Sequence, residues 1–160
     1  MVDSEAFREV MGSFATGVTV VTLPDPPHGI TVNAFASVSL DPPLVLVCID
    51  HDTESYDLLD SGEVDEYCIN VLAADQQHLG EYFARMTELE ENPFEAEPTR
   101  TAATGSPIFE DGLAYLDCEV WKAVPAGDHT IYVGEVQDLA VLDEDAEGLT
   151  FFRGEWGSTA

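Results

Sequence analysis

The chain has 160 residues and 45% apolar composition, enough for one hydrophobic core and too little for two ordinary domains, so residues 1–160 are expected to form one domain. Its 32 acidic residues against 5 basic ones give a net charge of −27, which argues against nucleic-acid binding, because that needs clustered lysine and arginine. No apolar run is long enough to span a membrane, and the N-terminus lacks the pattern of a secretory signal.

The first part of the chain predicts one helix followed by strands. An amphipathic helix is expected near the N-terminus, with Asp3 or Ser4 as its N-cap. Its apolar face follows the i, i+3, i+4, i+7 spacing and consists of Phe7, Val10, Met11 and Phe14. Strands are predicted over 18–22, which is rich in β-branched residues, and over 29–35, which alternates apolar and polar residues. Residues 41–43 end the second strand, because their prolines donate no ladder hydrogen bond.

The middle of the chain predicts two more strands and two helices. Residues 44–49 form a continuous apolar run before a polar stretch, which is typical of a strand buried on both faces. A short helix is expected over 53–61, then a strand over 67–72, and helical spacing returns in 75–86. Residues 87–106 lack periodicity, so we interpret them as a long surface loop and as a candidate lid or partner contact.

The last third predicts mainly strands. Residues 116–121 alternate apolar and polar side chains, a turn follows, and 131–136 continue on the other side with Gly134 as a bulge. A closing strand is expected over 149–152. At least six strands with few helices predict a mainly β fold: a closed or nearly closed β-barrel with a few flanking helices, which removes exposed sheet edges.

Charge and cysteine content indicate the setting of the protein. Self-repulsion at a net charge of −27 destabilises a compact chain at low ionic strength, so the composition predicts a halophilic protein of a high-salt cytosol. The alternative is an acidic docking face for a basic partner. Cys48, Cys68 and Cys118 lie inside apolar runs and are interpreted as small buried residues rather than zinc ligands or disulfides. We therefore expect a cytoplasmic protein without a metal site.

Small polar residues, rather than a common catalytic motif, mark the candidate site. The chain contains no GxGxxG or GxxxxGK[ST] phosphate loop, no HExxH, no GxSxG and no CxxC. Hydroxyls and backbone N–H groups around one strand-and-turn unit are instead able to hold a phosphate or the edge of a ring. The residues concerned are Thr31, Asn33, Ser37, Ser39, Asp50, Thr53 and Ser55. The alternative is that threonine and serine simply populate strands and turns.

Three strings of residues resemble one known family. They are residues 14–22 (FATGVTVVT), residues 29–45 (GITVNAFASVSLDPPLV), and Gly127-Asp128-His129 followed by residues 133–136 (VGEV). In this order they are similar to the flavin reductase-like family, whose fold is an FMN-binding split barrel of Greek-key type. The resemblance runs from about residue 7 to residue 156, which is nearly the whole chain.

The resemblance implies a set of cofactor-binding residues. Segments 31–34 and 37–39 would line the isoalloxazine and ribityl chain, segment 48–50 with Ser55 would complete the ribityl and phosphate site, and an aromatic residue near the C-terminus, Phe152 or Trp156, would close the pocket. Scarce cations that could face the phosphate are Arg85 and Arg153, although either could instead satisfy acidic neighbours. The predicted set is Thr31, Val32, Asn33, Ala34, Ser37, Val38, Ser39, Cys48, Ile49, Asp50, Ser55, Arg85 and Trp156.

The resemblance also implies a catalytic histidine. His129 of the Gly-Asp-His string would lie beside the flavin where a nicotinamide stacks; the alternative is a histidine at a polar rim of the barrel. One departure from the family concerns charge, because residues 50–54 read DHDTE where family members commonly carry basic residues near the phosphate. Asp50 and Asp52 would repel a phosphate dianion unless their carboxylates turn outward.

The resemblance implies a flavin reductase that passes a hydride from NAD(P)H to FMN, with FAD as the other possible flavin. The scarcity of lysine and arginine favours NADH over NADPH. A homodimer is expected, and a monooxygenase component is a possible recipient of the reduced flavin. Two alternatives remain: a carrier that holds FMN without oxidising NAD(P)H, and an acidic structural domain without a cofactor.

Overall fold

The computed structural model describes residues 1–160 and consists mainly of β-strands with four short helices. The helices are α1 (Ser4–Gly12), α2 (Glu54–Asp60), α3 (Gln77–Phe83), which follows a 3-10 turn at Ala74–Gln76, and α4 (Pro93–Ala96). The strands are β1 (Thr16–Gly17), β2 (Thr19–Leu23), β3 (His28–Val32), β4 (Phe35–Leu40), β5 (Pro43–Asp50), β6 (Glu66–Val71), β7 (Thr99–Arg100), β8 (Ile108–Phe109), β9 (Ala114–Ala126), β10 (His129–Val141), β11 (Leu149–Phe152) and β12 (Glu155–Ser158).

One seven-stranded antiparallel sheet forms the body of the fold, in the order β3-β2-β6-β9-β10-β5-β4. Its two edge strands, β3 and β4, do not pair with each other, so hydrogen bonds do not close the sheet. A second sheet joins β1, β11 and β12, and a third joins β7 and β8. The prediction of a mainly β fold with flanking helices is confirmed. None of the helices is long and apolar enough to cross a membrane.

The main core lies on one face of the seven-stranded sheet. Buried side chains from six of its strands meet there in one cluster, which includes Val21, Val32, Val47, Tyr67 and Tyr132. The sheet therefore curves around a common interior, since strands far apart in the sheet order supply neighbouring side chains. A second cluster packs α3 and β11 against the opposite side of β2, through Leu79, Phe83 and Leu149 against Val20.

Two strand predictions need correction. The predicted strand over 29–35 is broken at Asn33 and Ala34, where β3 ends and the chain enters β4 on the far edge of the sheet. The predicted strand over 44–49 is present as β5, but one of its faces is only partly buried: Leu44 is buried, whereas Leu46 and Cys48 on the same face remain half-buried. A continuous apolar run does not reveal which face of a strand lies against the core.

The predicted loop over 87–106 is wrong in part. It contains α4, which Asn92 caps by accepting a hydrogen bond from the Phe94 N–H, and strand β7. The predicted last helix ends at Phe83, three residues short of Met86. Strand β12, which pairs with β11, was not predicted. These elements are short, and their pairing depends on distant residues rather than on local pattern.

Helix α1 has the predicted N-cap, because the Asp3 carboxylate accepts a hydrogen bond from the Glu5 N–H. No residue of the helix is buried. Its apolar stripe is exposed instead, by 60% at Phe7, 70% at Val10 and 51% at Met11. The stripe therefore lacks a complete partner within its own chain.

Candidate functional site

A groove of about 630 Å³, here called the ring groove, runs between α1, β5 and the β11 end. Its apolar lining includes Phe7, Met11, Phe14, Ala34, Phe35, Ala36, Leu46, Cys48 and Phe151. Asn33 and Thr16 add polar groups, and Arg8 and Arg153 add positive charge. A mostly apolar groove with a few polar groups is the usual form of a small-molecule or cofactor site.

Strand register brings His129 to the same face of the sheet as the groove. In the pairing of β10 with β5, Cys48 lies opposite Ile131, and Asp50 lies opposite His129. Cys48 and Asp50 flank the buried Ile49, and His129 and Ile131 flank the buried Thr130. Because side chains alternate along a strand, these four residues point away from the core. His129 is 41% exposed at the end of this row, where its Nδ1 lies 2.7 Å from Asp128 Oδ1. That contact lowers the pKa of Asp128.

Several polar groups of the ring groove have no partner within the chain. The Oγ1 atom of Thr16 is buried and makes no hydrogen bond. The backbone N–H groups of Asn33 and Ala34, at the break between β3 and β4, also donate no hydrogen bond. Burial raises the pKa of the Cys48 thiol, which therefore stays neutral. The groove thus combines free donors with an uncharged floor.

A second cavity of about 230 Å³, here called the phosphate pocket, lies between β3, α2 and the end of α3. Its polar lining is His28, Thr31, Thr53, Glu54, Ser55 and Arg85. The Ser55 Oγ atom is buried without any hydrogen-bond partner. The hydroxyl of Thr31 is already committed, since it donates to the Gly80 carbonyl at 2.6 Å. Ser55 and Arg85 are donors without a side-chain partner within the chain.

Arg85 reaches this pocket from an unusual backbone conformation. It follows α3 with a φ of +60°, where the Arg85 N–H donates to Tyr82 O at 3.0 Å and the Met86 N–H to Glu81 O at 2.9 Å. Glycine normally occupies this left-handed position at the end of a helix. Arg85 also forms no ion pair, although the chain has 32 acidic residues. A strained, unpaired cation at a cavity is a candidate binding residue.

Two chain segments connect the cavities. Segment 31–34 begins in the phosphate pocket and ends in the ring groove, and segment 48–55 runs between them in the opposite direction. The Asp50 carboxylate accepts a hydrogen bond from the Asp52 N–H at 2.9 Å, so Asp50 is used locally. The Thr53 hydroxyl donates to Asp50 O and accepts from the Tyr56 N–H, which fixes the start of α2. Both segments carry predicted cofactor-binding residues.

Other predicted residues lie outside both cavities. The side chains of Val32 and Ile49 are buried in the main core, which leaves only their backbones for a ligand. Ser37, Val38 and Ser39 lie on edge strand β4, where the register shifts around Val38, and line neither cavity. These three residues lie away from the cavities because β4 runs along the opposite edge of the sheet from β3. The sequence, in which the two strands follow one another, does not reveal this separation.

Trp156 supports the ring groove from behind. Its indole packs edge-on against Phe151 with 5.1 Å between the ring centroids, and Phe151 lines the groove. On its other side the indole contacts Gly80, where an added Cβ would lie 3.0 Å from the indole ring. Trp156 thus packs between α3 and Phe151 instead of lining the groove.

Sequence reasoning missed Thr16, Phe7, Phe14 and Phe151 as groove residues. Phe7 and Phe14 were recognised only as one face of a helix, and Phe151 only as part of a strand. Thr16 lies inside the string that carried the family resemblance, but no residue pattern distinguishes a hydroxyl with a partner from one without. Contacts between distant segments define this part of the site.

The fold places two cavities at opposite ends of segments 31–34 and 48–55, one lined mainly by apolar side chains and the other mainly by polar ones. The unpartnered Ser55 hydroxyl and Arg85 fit a phosphate, and the Asn33 and Ala34 N–H groups fit a ring edge with acceptor atoms. The residues therefore fit a flavin nucleotide. Residues 11–160 match the model of the flavin reductase like domain, and the chain belongs to this family.

Comparisons with known proteins agree with this assignment. The chain is 40% identical over 159 residues to an NADH-dependent flavin reductase of Rhodococcus, covering 94% of this chain and 84% of that protein. It is 35% identical over 158 residues to HsaB, the reductase subunit of a flavin-dependent monooxygenase of Mycobacterium tuberculosis, covering 97% and 82%. The structure of the flavin reductase PheA2 superposes with a TM-score of 0.89 at 37% identity over 99% of both chains. Another curated relative is longer, and the chain spans 48% of it.

Proposed function

We propose that this chain is a flavin reductase that oxidises NADH and reduces a bound flavin. The observation that carries the proposal is the pair of cavities at the two ends of segments 31–34 and 48–55, each with a buried hydroxyl that lacks a partner, at Thr16 and Ser55. Family membership and the NADH-dependent relative support the same reaction. Flavin chemistry supplies the hydride acceptor, so the chain needs to provide position and electrostatics rather than a nucleophile.

The free donors of the two cavities define how a flavin is held. Ser55 and Arg85 bind the phosphate, because a dianion in an acidic protein needs a local cation and a hydroxyl donor. The N–H groups of Asn33 and Ala34 donate to the acceptor edge of the ring, where negative charge develops during reduction. Cys48 forms an apolar, neutral floor beneath the ring.

The position of His129 suits contact with a nicotinamide stacked on the flavin ring. His129 ends the row of outward-facing residues on β5 and β10, and its Nδ1 contact with Asp128 fixes the ring orientation. His129 does not line the ring groove itself, but Cys48 in the same row does, and His129 Nε2 makes no hydrogen bond within the chain. We infer that His129 positions the nicotinamide against the flavin ring, whereas Ser55 and Arg85 act on the flavin alone.

The phosphate pocket also has room beyond the phosphate. A further cavity of about 510 Å³ continues from it along His28 and Arg85 and is flanked by Tyr82 and Phe94. This space would accept the adenylate part of FAD, so both FMN and FAD are proposed ligands. Titration with riboflavin, FMN and FAD, followed by flavin fluorescence, tests this arrangement. Riboflavin should bind most weakly; equal affinity for riboflavin and FMN would contradict a phosphate site.

We propose that a second copy of the chain covers α1. Its apolar stripe of Phe7, Val10 and Met11 is more than half exposed, and the ring groove between this helix and β5 is open on that side. Burying such a stripe is favourable by about 25 cal/mol for each Å² removed from water. Light scattering after gel filtration should give a dimer, and Val10→Glu should give a monomer; a wild-type monomer would contradict the proposal.

Two relatives suggest where the reduced flavin goes. HsaB is the reductase subunit of a monooxygenase, and BorF, whose structure is 38% identical, is the flavin reductase component of a tryptophan halogenase. We propose that this chain likewise supplies a separate monooxygenase. Ser55 and Arg85 provide few phosphate contacts, which suits a flavin that dissociates after reduction. Retention of all flavin during repeated turnover and gel filtration would contradict a diffusible flavin.

The acidic composition supports the proposal that the protein is adapted to a cytosol with high salt. The net charge is −27, and the ion pairs comprise one arginine pair and three contacts made by histidine. Almost all carboxylates are therefore unneutralised, and screening should stabilise the fold. All three cysteines are free thiols, which suits a reducing compartment. The melting temperature should rise between low and molar KCl; no rise would contradict halophilic adaptation.

A further inference from the structure

Arg8 and Arg153 face one further groove, here called the arginine groove, of about 460 Å³. They are two of the five basic residues, and neither forms an ion pair within the chain, whereas Arg100 pairs with Glu110 at 3.4 Å. In a chain with 32 acidic residues, an arginine is expected to form an ion pair with a carboxylate. Their shared groove therefore carries positive charge that the chain itself leaves largely uncompensated.

The backbone holds Arg153 in a conformation that arginine rarely adopts. It has a φ of +51° and precedes Gly154 at +78° in the tight turn between β11 and β12. Asparagine and glycine are the usual residues of a two-residue hairpin with positive φ at both positions. The Arg153 N–H donates to Gly12 O at 2.9 Å, and the guanidinium lies 4.8 Å from the centre of the Phe152 ring. The turn thus presents a fixed cation beside α1.

The arginine groove opens directly into the ring groove. Arg8, Gly12, Arg153 and Gly154 line both. The phosphate pocket lies in the other direction, at the far end of segments 31–34 and 48–55. A flavin with its phosphate at Ser55 therefore leaves the arginine end of the ring groove to the other substrate.

We propose that Arg8 and Arg153 bind the diphosphate of the reduced nicotinamide dinucleotide, so that its nicotinamide enters the ring groove from this end. The inference rests on the proposed reductase function. Arginine is suited to this role, because its planar guanidinium forms paired hydrogen bonds with phosphate oxygens. Glu9 also lines the arginine groove and offsets part of its charge, so both arginines are needed to hold the anion.

The test compares variants that remove one positive charge in different places. Arg8→Gln and Arg153→Asn, alone and together, remove the proposed contacts, and asparagine is suited to the turn. Arg100→Gln is the matched control, because Arg100 lines neither groove. The measurements in about molar KCl are the KM for NADH, the rate with 1-benzyl-1,4-dihydronicotinamide, which lacks phosphate, and the dissociation constants of NADH, FMN and FAD. Apo-protein melting temperatures check folding.

The double variant should raise the KM and dissociation constant of NADH about 10-fold to 100-fold, since hydrogen bonds to charged groups are lost. The benzyl donor rate and the FMN affinity should equal those of Arg100→Gln. An unchanged NADH affinity in an active enzyme overturns this inference alone. Weakened FAD with unaffected NADH assigns the groove to the flavin's diphosphate and also overturns it. If the wild type neither oxidises nor binds NADH, this inference and the proposed function fail together.

Discussion

The variant Ser55→Ala tests whether the Ser55 hydroxyl binds a ligand or stabilises the fold. The Oγ atom of Ser55 is buried and has no partner within the chain, so its removal breaks no hydrogen bond in the flavin-free protein. A buried polar group without a partner costs about 1–3 kcal/mol, part of which the alanine variant recovers. The apo melting temperature should therefore stay constant or rise by about 2–4 °C per kcal/mol recovered.

The same substitution should weaken flavin binding. A hydrogen bond to a charged phosphate contributes about 1.5–3 kcal/mol, which corresponds to roughly a 10-fold to 100-fold increase in the dissociation constant. Flavin fluorescence titration and differential scanning fluorimetry measure the two effects on the same samples.

Ser106→Ala is the matched control for this experiment. Ser106 carries another buried hydroxyl without a partner, but it lines neither cavity. It should show the same change in apo stability and no change in flavin affinity. The reasoning is refuted if Ser55→Ala binds FMN as tightly as wild type, or if it lowers the apo melting temperature by several degrees.

Three further predictions concern His129, His28 and Gly134. His129→Ala should lower kcat/KM for NADH about 10-fold or more and leave the FMN dissociation constant unchanged; equal losses in both would indicate a structural role. Burial lowers the pKa of His28 below its usual 6.5, so the unfolded chain takes up this proton at a higher pH than the folded chain does. The free energy of unfolding therefore falls as pH drops from 6.5 through the pKa of the folded state, and His28→Gln should flatten the decline in melting temperature towards pH 5.5. Gly134→Ala places a methyl against the Tyr67 hydroxyl and 2.9 Å from Cys118 Cβ, and should cost about 1–3 kcal/mol in denaturant unfolding; an unchanged midpoint would contradict the tight packing.

Local pattern located the strands of the seven-stranded sheet other than β4, because clear signals bound them. Residues 18–22 are β-branched, and the turn before His129 contains Gly127 with a φ of +66°. Thr53 is the N-cap of α2, which ends at Asp60, shortly before Gly62. The bulge expected at Gly134 is confirmed as a register shift between Val133 and Gly134. These features depend on residues close in sequence.

The sequence could not reveal how the cavities are formed. The break at Asn33 sends β4 to the opposite edge of the sheet from β3, and this change exposes the backbone donors of the ring groove. The isolated hydroxyls of Thr16 and Ser55 are recognisable only once every neighbouring acceptor is located. Similarly, the unpaired state of Arg153 depends on the positions of the acidic residues around it. All of these features depend on contacts between residues that are far apart in the sequence.

The most direct test of the central claim is NADH oxidation at 340 nm by the purified protein in about molar KCl, with increasing FMN. The account predicts turnover that saturates with FMN and that falls when Ser55 is replaced by alanine at limiting flavin. Absence of NADH oxidation, together with a flavin spectrum that survives gel filtration, would contradict the reductase and indicate a protein that holds its flavin for another electron donor.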